Sequence, residues 1–374
     1  MTLLTNPLVL RGMYCLEMGK AFLRYRNPRR REVGSKHRAF YAQAWQEAAD
    51  ELGATCKPLG AGILEIELNG FRTRVVENTS EIDGPVTLAV LIDKCLTYDL
   101  LEAEGLPTPR HASFTINDLA SAEAFLKRRQ VDCVVKPSGG TGGGRGVRTG
   151  IRTNWHLAQA AAAAAVYADR LLIEEQVEGD NYRLLYLDGE LIDAFIRRPP
   201  TVVGDGRSAI SRLVRQVNEQ RLRTGVGLSQ VLLTMDLDVH RTLTRQGLSL
   251  RSVPRAGQRV TLKTVVNENC GDDNSSAAGL LCRSIVEDGE RAVRALRVRL
   301  AGVDIITRDP TVPLAESGGV VLEVNAPPNF YYHYRKRDGV FPVANHVLRR
   351  LLLEPAGADQ GGGAMSGIKS GKEL

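Results

Sequence analysis

The chain predicts a mixed α/β fold, of the α+β kind, in which a small N-terminal α/β domain precedes two lobes. Three observations carry this. Short apolar runs of strand character alternate with helical patterns along most of the chain. Two dipeptides suited to tight hairpins, Asn69-Gly70 and Asp188-Gly189, each separate two such runs, so the strands they join are antiparallel. The length, 374 residues with 43% hydrophobic and 25% charged content, suffices for two or three globular domains.

Residues 1–83 are read as the N-terminal domain. A helix over 40–52 stops at Gly53, and strands over 63–68 and 71–76 form a hairpin. The first lobe covers 84–174. It opens with a helix over 88–104 that ends at Gly105. Strands near 111–114 and 131–136 bracket a helix over 120–129, and the alanine-rich stretch 155–168 is helical by propensity. The second lobe covers 175–353. It carries a hairpin of strands 182–187 and 190–198, two apolar strands at 301–306 and 320–325, and a closing helix near 343–353. Residues 354–374, rich in glycine, cannot bury enough apolar surface to order themselves.

Composition narrows the function classes. The net charge is +6 and the pI about 9.0, with Arg24, Arg26, Arg29, Arg30, Arg31, Lys36 and Arg38 crowded into one segment. A solvated N-terminal face is favoured over a nucleic-acid patch, because aromatics are only 5% and stacking platforms are missing. No apolar run approaches the ~20 residues that span a bilayer, so no membrane partner is expected. The N-terminus lacks the basic start and cleavage site of a signal peptide. Six cysteines stand singly at 15, 56, 95, 133, 270 and 282, without a Cys-x-x-Cys pair. That spacing fits reduced thiols and a cytoplasmic location. A homo-oligomer stays open.

Chemistry-bearing residues concentrate in three places. Glu323 and Asn325, two apart on a strand, project to one face. With Asp304 on the neighbouring apolar run they offer three hard oxygen donors, a set that suits Mg²⁺. Earlier, Val134-Val135-Lys136-Pro137 opens into Ser138–Val147, a loop with six glycines. Such a loop can wrap its amides around phosphate, although no Gly-Lys-Ser/Thr follows as in a Walker loop. Glu174 ends a strand beside open backbone, a position from which a carboxylate can read adenine.

In this order the pieces resemble the ATP-grasp superfamily, in particular the ATP-grasp region of cyanophycin synthetases and bifunctional glutathione synthetases. The resemblance runs from about Ile82 to Leu353. It rests on Lys94 with the exit Gly105-Leu106-Pro107-Thr108-Pro109, on Arg197-Arg198-Pro199-Pro200, and on Val203-Gly204-Asp205-Gly206. It continues through Ala301-Gly302-Val303-Asp304-Ile305 and Glu323-Val324-Asn325-Ala326. It implies an ATP-grasp fold whose two lobes clamp ATP, in a stand-alone relative without the Mur-ligase-like half.

The resemblance also implies roles. Lys94 and Lys136 would grip ATP phosphates, with Gly142, Gly143, Gly144 and Gly146 closing over them. Glu174 and Val177 would hold adenine, and Asn181 stands where relatives carry an acid for the ribose. Arg197 and Arg198 would face the triphosphate and the acyl phosphate, with Lys263 and Asn267 near the reacting carboxylate. Asp304, Glu323 and Asn325 would hold two Mg²⁺ ions, or Mn²⁺ in their place. The segment 263–272 gains Glu268 and Asp272 relative to the family pattern, which suits a cationic or amino substrate. The implied activity is an ATP-dependent carboxylate–amine ligase acting on amino acids or peptides. A kinase-like phosphotransferase and a non-catalytic nucleotide-binding module are the alternatives. Asp304→Asn and Glu323→Gln, being nearly isosteric, are expected from sequence to spare folding.

Overall fold

A computed structural model describes residues 6–26, 28–129, 131–140, 144–224, 232–266, 268–269 and 273–354. The glycine-rich end at 355–374, expected to be an unordered tail, lies outside the described residues, as do Gly142, Gly143, Asn267, Cys270 and Asp272. The chain opens with helices α1 (Pro7–Tyr25) and α2 (Pro28–Leu52). A meander follows: β1 (Thr55–Gly60), β2 (Ile63–Leu68), β3 (Phe71–Val76) and β4 (Thr79–Ser80), antiparallel in that order. The β2–β3 turn has the form expected. Asn69 and Gly70 take φ of 52° and 87°, the two positive values of a type I′ turn, and Leu68 pairs with Phe71.

Next come α3 (Pro85–Ile92), α4 (Lys94–Ala103), β5 (His111–Thr115), α5 (Ala120–Arg129), β6 (Cys133–Pro137), β7 (Arg148–Ile151), α6 (Asn154–Ala165) and β8 (Arg170–Glu175). Their strands form an antiparallel sheet in the order β5-β8-β6-β7. The single helix expected over 88–104 is two. Asp93 breaks it in an extended conformation, and its Oδ1 accepts from the amides of Cys95 (3.0 Å) and Leu96 (3.2 Å). A side chain that satisfies a fresh helix N-terminus outcompetes continuation of the first helix.

The rest comprises β9 (Asp180–Leu187), β10 (Glu190–Arg197), β11 (Thr201–Val203), α7 (Ile210–Thr224), α8 (Leu237–Arg245), β12 (Arg259–Thr261), β13 (Ser275–Ser276), α9 (Arg283–Ala295), β14 (Leu300–Thr307), α10 (Leu314–Ser317), β15 (Val320–Asn325), α11 (Tyr331–Tyr334) and α12 (Val343–Leu352). A five-stranded antiparallel sheet runs β13-β10-β9-β14-β15, and β11 pairs with β12.

The five-stranded sheet is covered on both faces, which is why the second half of β9, Leu184–Leu187, reads as a continuous apolar run. Leu184 and Tyr186 point into a core with Ile285, Val293, Val303 and Val321. Leu185 and Leu187 point the other way, into a core with Trp45, Ile66, Val347 and Leu348 from α2, the meander and α12. Leu91, Leu101 and Leu106, from the segment read as the first lobe, pack into the first of these cores. The four-stranded sheet buries Phe125, Leu157, Leu171 and Ile173, and Leu10 of α1 joins it. A smaller cluster holds Ile210, Val214, Val239 and Val260 together around β11, β12, α7 and α8. None of the described helices is long and apolar enough to cross a membrane. The five described cysteines, Cys15, Cys56, Cys95, Cys133 and Cys282, are free thiols.

Gly179 lies in the short connection from the four-stranded to the five-stranded sheet. Its φ is +145°, and a Cβ there would meet the backbone of Thr307 at 2.4 Å. Gly179→Ala is therefore expected to destabilise the protein by about 1–3 kcal/mol. A urea midpoint equal to that of the parent protein would show that the two sheets do not approach so closely here.

Candidate active site

A cleft of about 560 Å³ lies where the two sheets face each other. Lys136 and Glu174 enter from β6 and β8, Val177 from the connection into β9, Asn181 and Arg183 from β9, and Arg197 from β10. Asp304 comes from β14, Glu323 and Asn325 from β15, and Lys94 from the start of α4. Two sheets, one helix N-terminus and one glycine loop thus converge on a single space. Gly144, with φ of +68°, lines it too.

One side is a buried polar triangle. Lys136 Nζ lies 2.7 Å from Glu174 Oε2 and donates to Tyr98 Oη at 3.0 Å. Tyr98 Oη is in turn 3.0 Å from Glu174 Oε2 and 2.7 Å from the carbonyl of Leu322. Burial, then the Glu174 charge, push the Tyr98 phenol well above its ordinary range. It stays protonated and works as a donor between the two sheets. Glu174 was expected to read adenine; in this structure its carboxylate is occupied by Lys136.

The second cluster joins Lys94 and Glu323 at 2.9 Å. Burial pushes the Glu323 carboxyl up, but Lys94 and then Lys136 outweigh it and hold it at about 2, so it is ionised. The Glu323 charge correspondingly raises Lys94.

The third cluster centres on Asp304, which is 3% exposed. Arg183 donates to both of its oxygens, from Nε at 2.5 Å and Nη2 at 2.8 Å, and Arg197 Nη1 reaches Oδ2 at 3.3 Å. Asn325 Nδ2 sits 3.4 Å from the same Oδ2. Burial lowers Arg197, and the nearby Arg183 adds to that, while Asp304 opposes it. The strand register explains the grouping, since Asp304 pairs directly with Glu323 on one side and Arg183 on the other.

The oxygen set fits Mg²⁺ by its chemistry. It has two ionisable carboxylates and one amide oxygen on paired strands, an open arrangement suited to an ion that completes its shell with phosphate oxygens and water. Among the described residues no group of three His, Cys, Asp or Glu forms a closed cage.

Other expected residues sit elsewhere. Arg198 is half-exposed and lies 3.9 Å from Asp180. Lys263 is buried away from the cleft lining, its ammonium held by Asp236 at 2.8 Å, Glu268 at 2.9 Å and Thr234 at 2.7 Å. Glu268, read as part of an acidic substrate loop, is engaged in that same network. Gly146 is tight against Pro137 and Tyr167, 2.9 Å from each to a notional Cβ. Asn181 lines the cleft with a buried Oδ1 that has no hydrogen-bond partner among the described residues, an orphan acceptor where the ribose contact was expected.

Two residues escaped the sequence reading. Tyr98 follows Lys94 by four positions on α4 and so shares its face, which is a legible signal. Arg183 follows Asn181 by two on β9 and shares its face in the same way.

No family model matches the chain. A cyanophycin synthetase of Trichormus variabilis is 31% identical over 271 residues, covering 71% of this chain and 30% of that protein. A glutathione biosynthesis bifunctional protein of Desulfotalea psychrophila is 27% identical over 274 residues, 72% of this chain and 35% of that protein. Among solved structures, a bifunctional glutathione synthetase from Pasteurella multocida has a TM-score of 0.56 at 21% identity, covering 83% of this chain and 43% of that one. The chain spans about a third of the length of these curated relatives. The chain thus has the ATP-grasp fold, and its sequence resembles the ATP-grasp region of cyanophycin synthetases and bifunctional glutathione synthetases.

Proposed function

We propose that the cleft is the active site of an ATP-dependent carboxylate–amine ligase that joins amino acids or peptides through an acyl phosphate. The observation that carries this reading is the convergence of Lys94, Lys136, Arg183 and Arg197 with Asp304, Glu323 and Asn325 in one space. Cations of that number suit a triphosphate, and the oxygen set suits its accompanying metal. The relatives are named for the synthesis of cyanophycin and of glutathione, and a synthetic activity is carried to this chain as a proposal.

In this reading Lys94 and Lys136 bind ATP phosphates, and the backbone near Val177 holds adenine. Arg197, with Arg183 beside it, stabilises charge as the carboxylate attacks the γ-phosphate and ADP departs. The chain contributes position and electrostatics, the main resources for phosphoryl transfer. Asp304, Glu323 and Asn325 would hold Mg²⁺, which when bound neutralises developing phosphate charge as a Lewis acid. Lys94 keeps Glu323 ionised, and Arg183 orients Asp304 through two hydrogen bonds. The glycine loop covers the phosphates, and the division into an N-terminal domain at 1–83 and lobes at 84–174 and 175–353 belongs to the same proposal.

The test is product stoichiometry. With ATP, Mg²⁺ and a set of amino acids and short peptides, ADP and phosphate should appear in equal amounts with amide. AMP with pyrophosphate would indicate adenylation instead, and a stable phosphoester would indicate a phosphotransferase.

A further inference from the structure

Part of the cleft wall comes from ahead of the motif-bearing stretch 82–353. His37, on α2, and Asn78, in the turn between β3 and β4, both line the cleft alongside Asn325, Asn329, Arg197 and Tyr332. These N-terminal residues are fastened in place. Asn78 Nδ2 donates to the carbonyls of Pro327 (3.0 Å) and Pro328 (3.2 Å), just beyond Asn325. Tyr41 Oη donates to Asn329 Oδ1 at 3.0 Å, and Trp45 Nε1 holds the carbonyl of Glu77 at 2.7 Å.

The His37 ring packs edge-on against Tyr41, with centroids 4.8 Å apart, and its Nδ1 is 3.7 Å from Glu77 Oε2. That leaves Nε2 as the nitrogen for a ligand. Burial lowers the imidazole below its ordinary value, against the pull of Glu77 and with help from Arg38, so the ring is neutral at neutral pH.

An amine arrives in water as an ammonium group and must lose a proton before it can attack. Each of the five carboxylates lining the cleft has a Lys or Arg within 4 Å. Lysine and arginine cations cannot accept a proton. The neutral imidazole, with a carboxylate behind it to stabilise its charged form, is the group suited to do so.

We propose that this N-terminal wall forms the amine subsite and that His37 takes the proton of the incoming ammonium group. The inference rests on the ligase reading above. The ammonium proton passes to Nε2. The freed nitrogen lone pair forms the new N–C bond while the bond from that carbon to the phosphate oxygen breaks; phosphate leaves with the electron pair and takes up the second nitrogen proton, which leaves a neutral amide. Asn78, whose Nδ2 is taken up by the proline carbonyls, has Oδ1 left to accept from the amine. Because the wall lies ahead of the motif-bearing stretch 82–353, it is where this chain would choose its own amine.

The experiment compares the parent protein with His37→Gln and His37→Ala in ATP and Mg²⁺. The twenty common amino acids and their dipeptides with glycine serve as carboxylates. The nucleophile is either the same amino acids or hydroxylamine, which is mostly unprotonated at neutral pH and reports acyl phosphate as hydroxamate. The ratio of amide to hydroxamate should fall about 10²-fold in both variants, and added imidazole should restore it in His37→Ala. An unchanged ratio, or a fallen ratio that imidazole does not restore, overturns the assignment. If the parent protein forms neither hydroxamate nor amide with any of these probes, the ligase reading fails and takes this inference with it.

Discussion

Asp304→Asn is expected to cut ATP-dependent turnover by at least about 10²-fold and also to destabilise the fold by about 3–5 kcal/mol. The first effect follows from removing charge from the proposed Mg²⁺ shell. The second departs from what near-isostery suggests. Asp304 is buried, and its carboxylate neutralises Arg183 through two hydrogen bonds and Arg197 through a third. An amide of the same shape would leave two buried guanidinium groups without a counter-charge and turn an NH₂ toward one of them. Glu323→Gln should match the loss of turnover with a smaller stability cost, since Glu323 is more open and answers one close cation, Lys94. ADP release and urea midpoints measure the two effects separately. Near-normal turnover in Asp304→Asn would remove that residue from the metal assignment; an unchanged midpoint would mean the arginines do not depend on it.

Lys136→Met should be comparably severe. The Lys136–Glu174 pair is almost wholly buried, at 7% and 4% side-chain exposure. Removing the lysine strands a carboxylate whose remaining neighbour is the Tyr98 hydroxyl, at an expected cost of about 3–5 kcal/mol. Nucleotide binding should weaken roughly 10- to 100-fold, the usual weight of hydrogen bonds to a charged group. Lys136→Met combined with Glu174→Leu removes both charges and should recover most of the stability while nucleotide binding stays weak. Denaturation and calorimetry with a non-hydrolysable ATP analogue make the comparison. Were the double variant as unstable as the sum of its parents, the two residues would not act as a pair.

What was legible in the amino-acid order follows from local physics. The turns Asn69-Gly70 and Asp188-Gly189 were readable because few residue pairs accept two positive φ values, and both hairpins form in the expected register. Asp304, Glu323 and Asn325 were readable because period-two projection needs no knowledge of the rest of the chain. Helix α1 was missed. It carries apolar residues on the face packed against α6 and also at exposed Leu8, Leu16, Phe22 and Leu23, so no single stripe announces it. The break at Asp93 was missed because the apolar pattern runs on across it and only the cap reveals it. Partnerships formed between distant segments were out of reach. Lys263 shows no partner in the sequence, and only folding brings Asp236 and Glu268 to its ammonium. Glu174 reads as a strand-end acid until β6 places Lys136 against it.

The pairing of β14 with β15 skips a position: Asp304 faces Glu323, and the next residue, Ile305, faces Val321. Leu322 is thereby left out of the ladder, and its carbonyl is the one that meets Tyr98 Oη. This irregularity makes the strand intolerant of changes in length. Deleting Leu322 would restore a continuous ladder but remove the carbonyl that meets Tyr98 Oη, while a one-residue insertion or deletion past Glu323 would turn Asn325 to the other face, away from the cleft. Insertions and deletions among descendants of this sequence should therefore accumulate in the 308–319 connection and spare 320–325. The spacing from Val321 to Asn325 would then act as a reading frame for the oxygens proposed to hold the metal, expected to keep its number even where its apolar members drift.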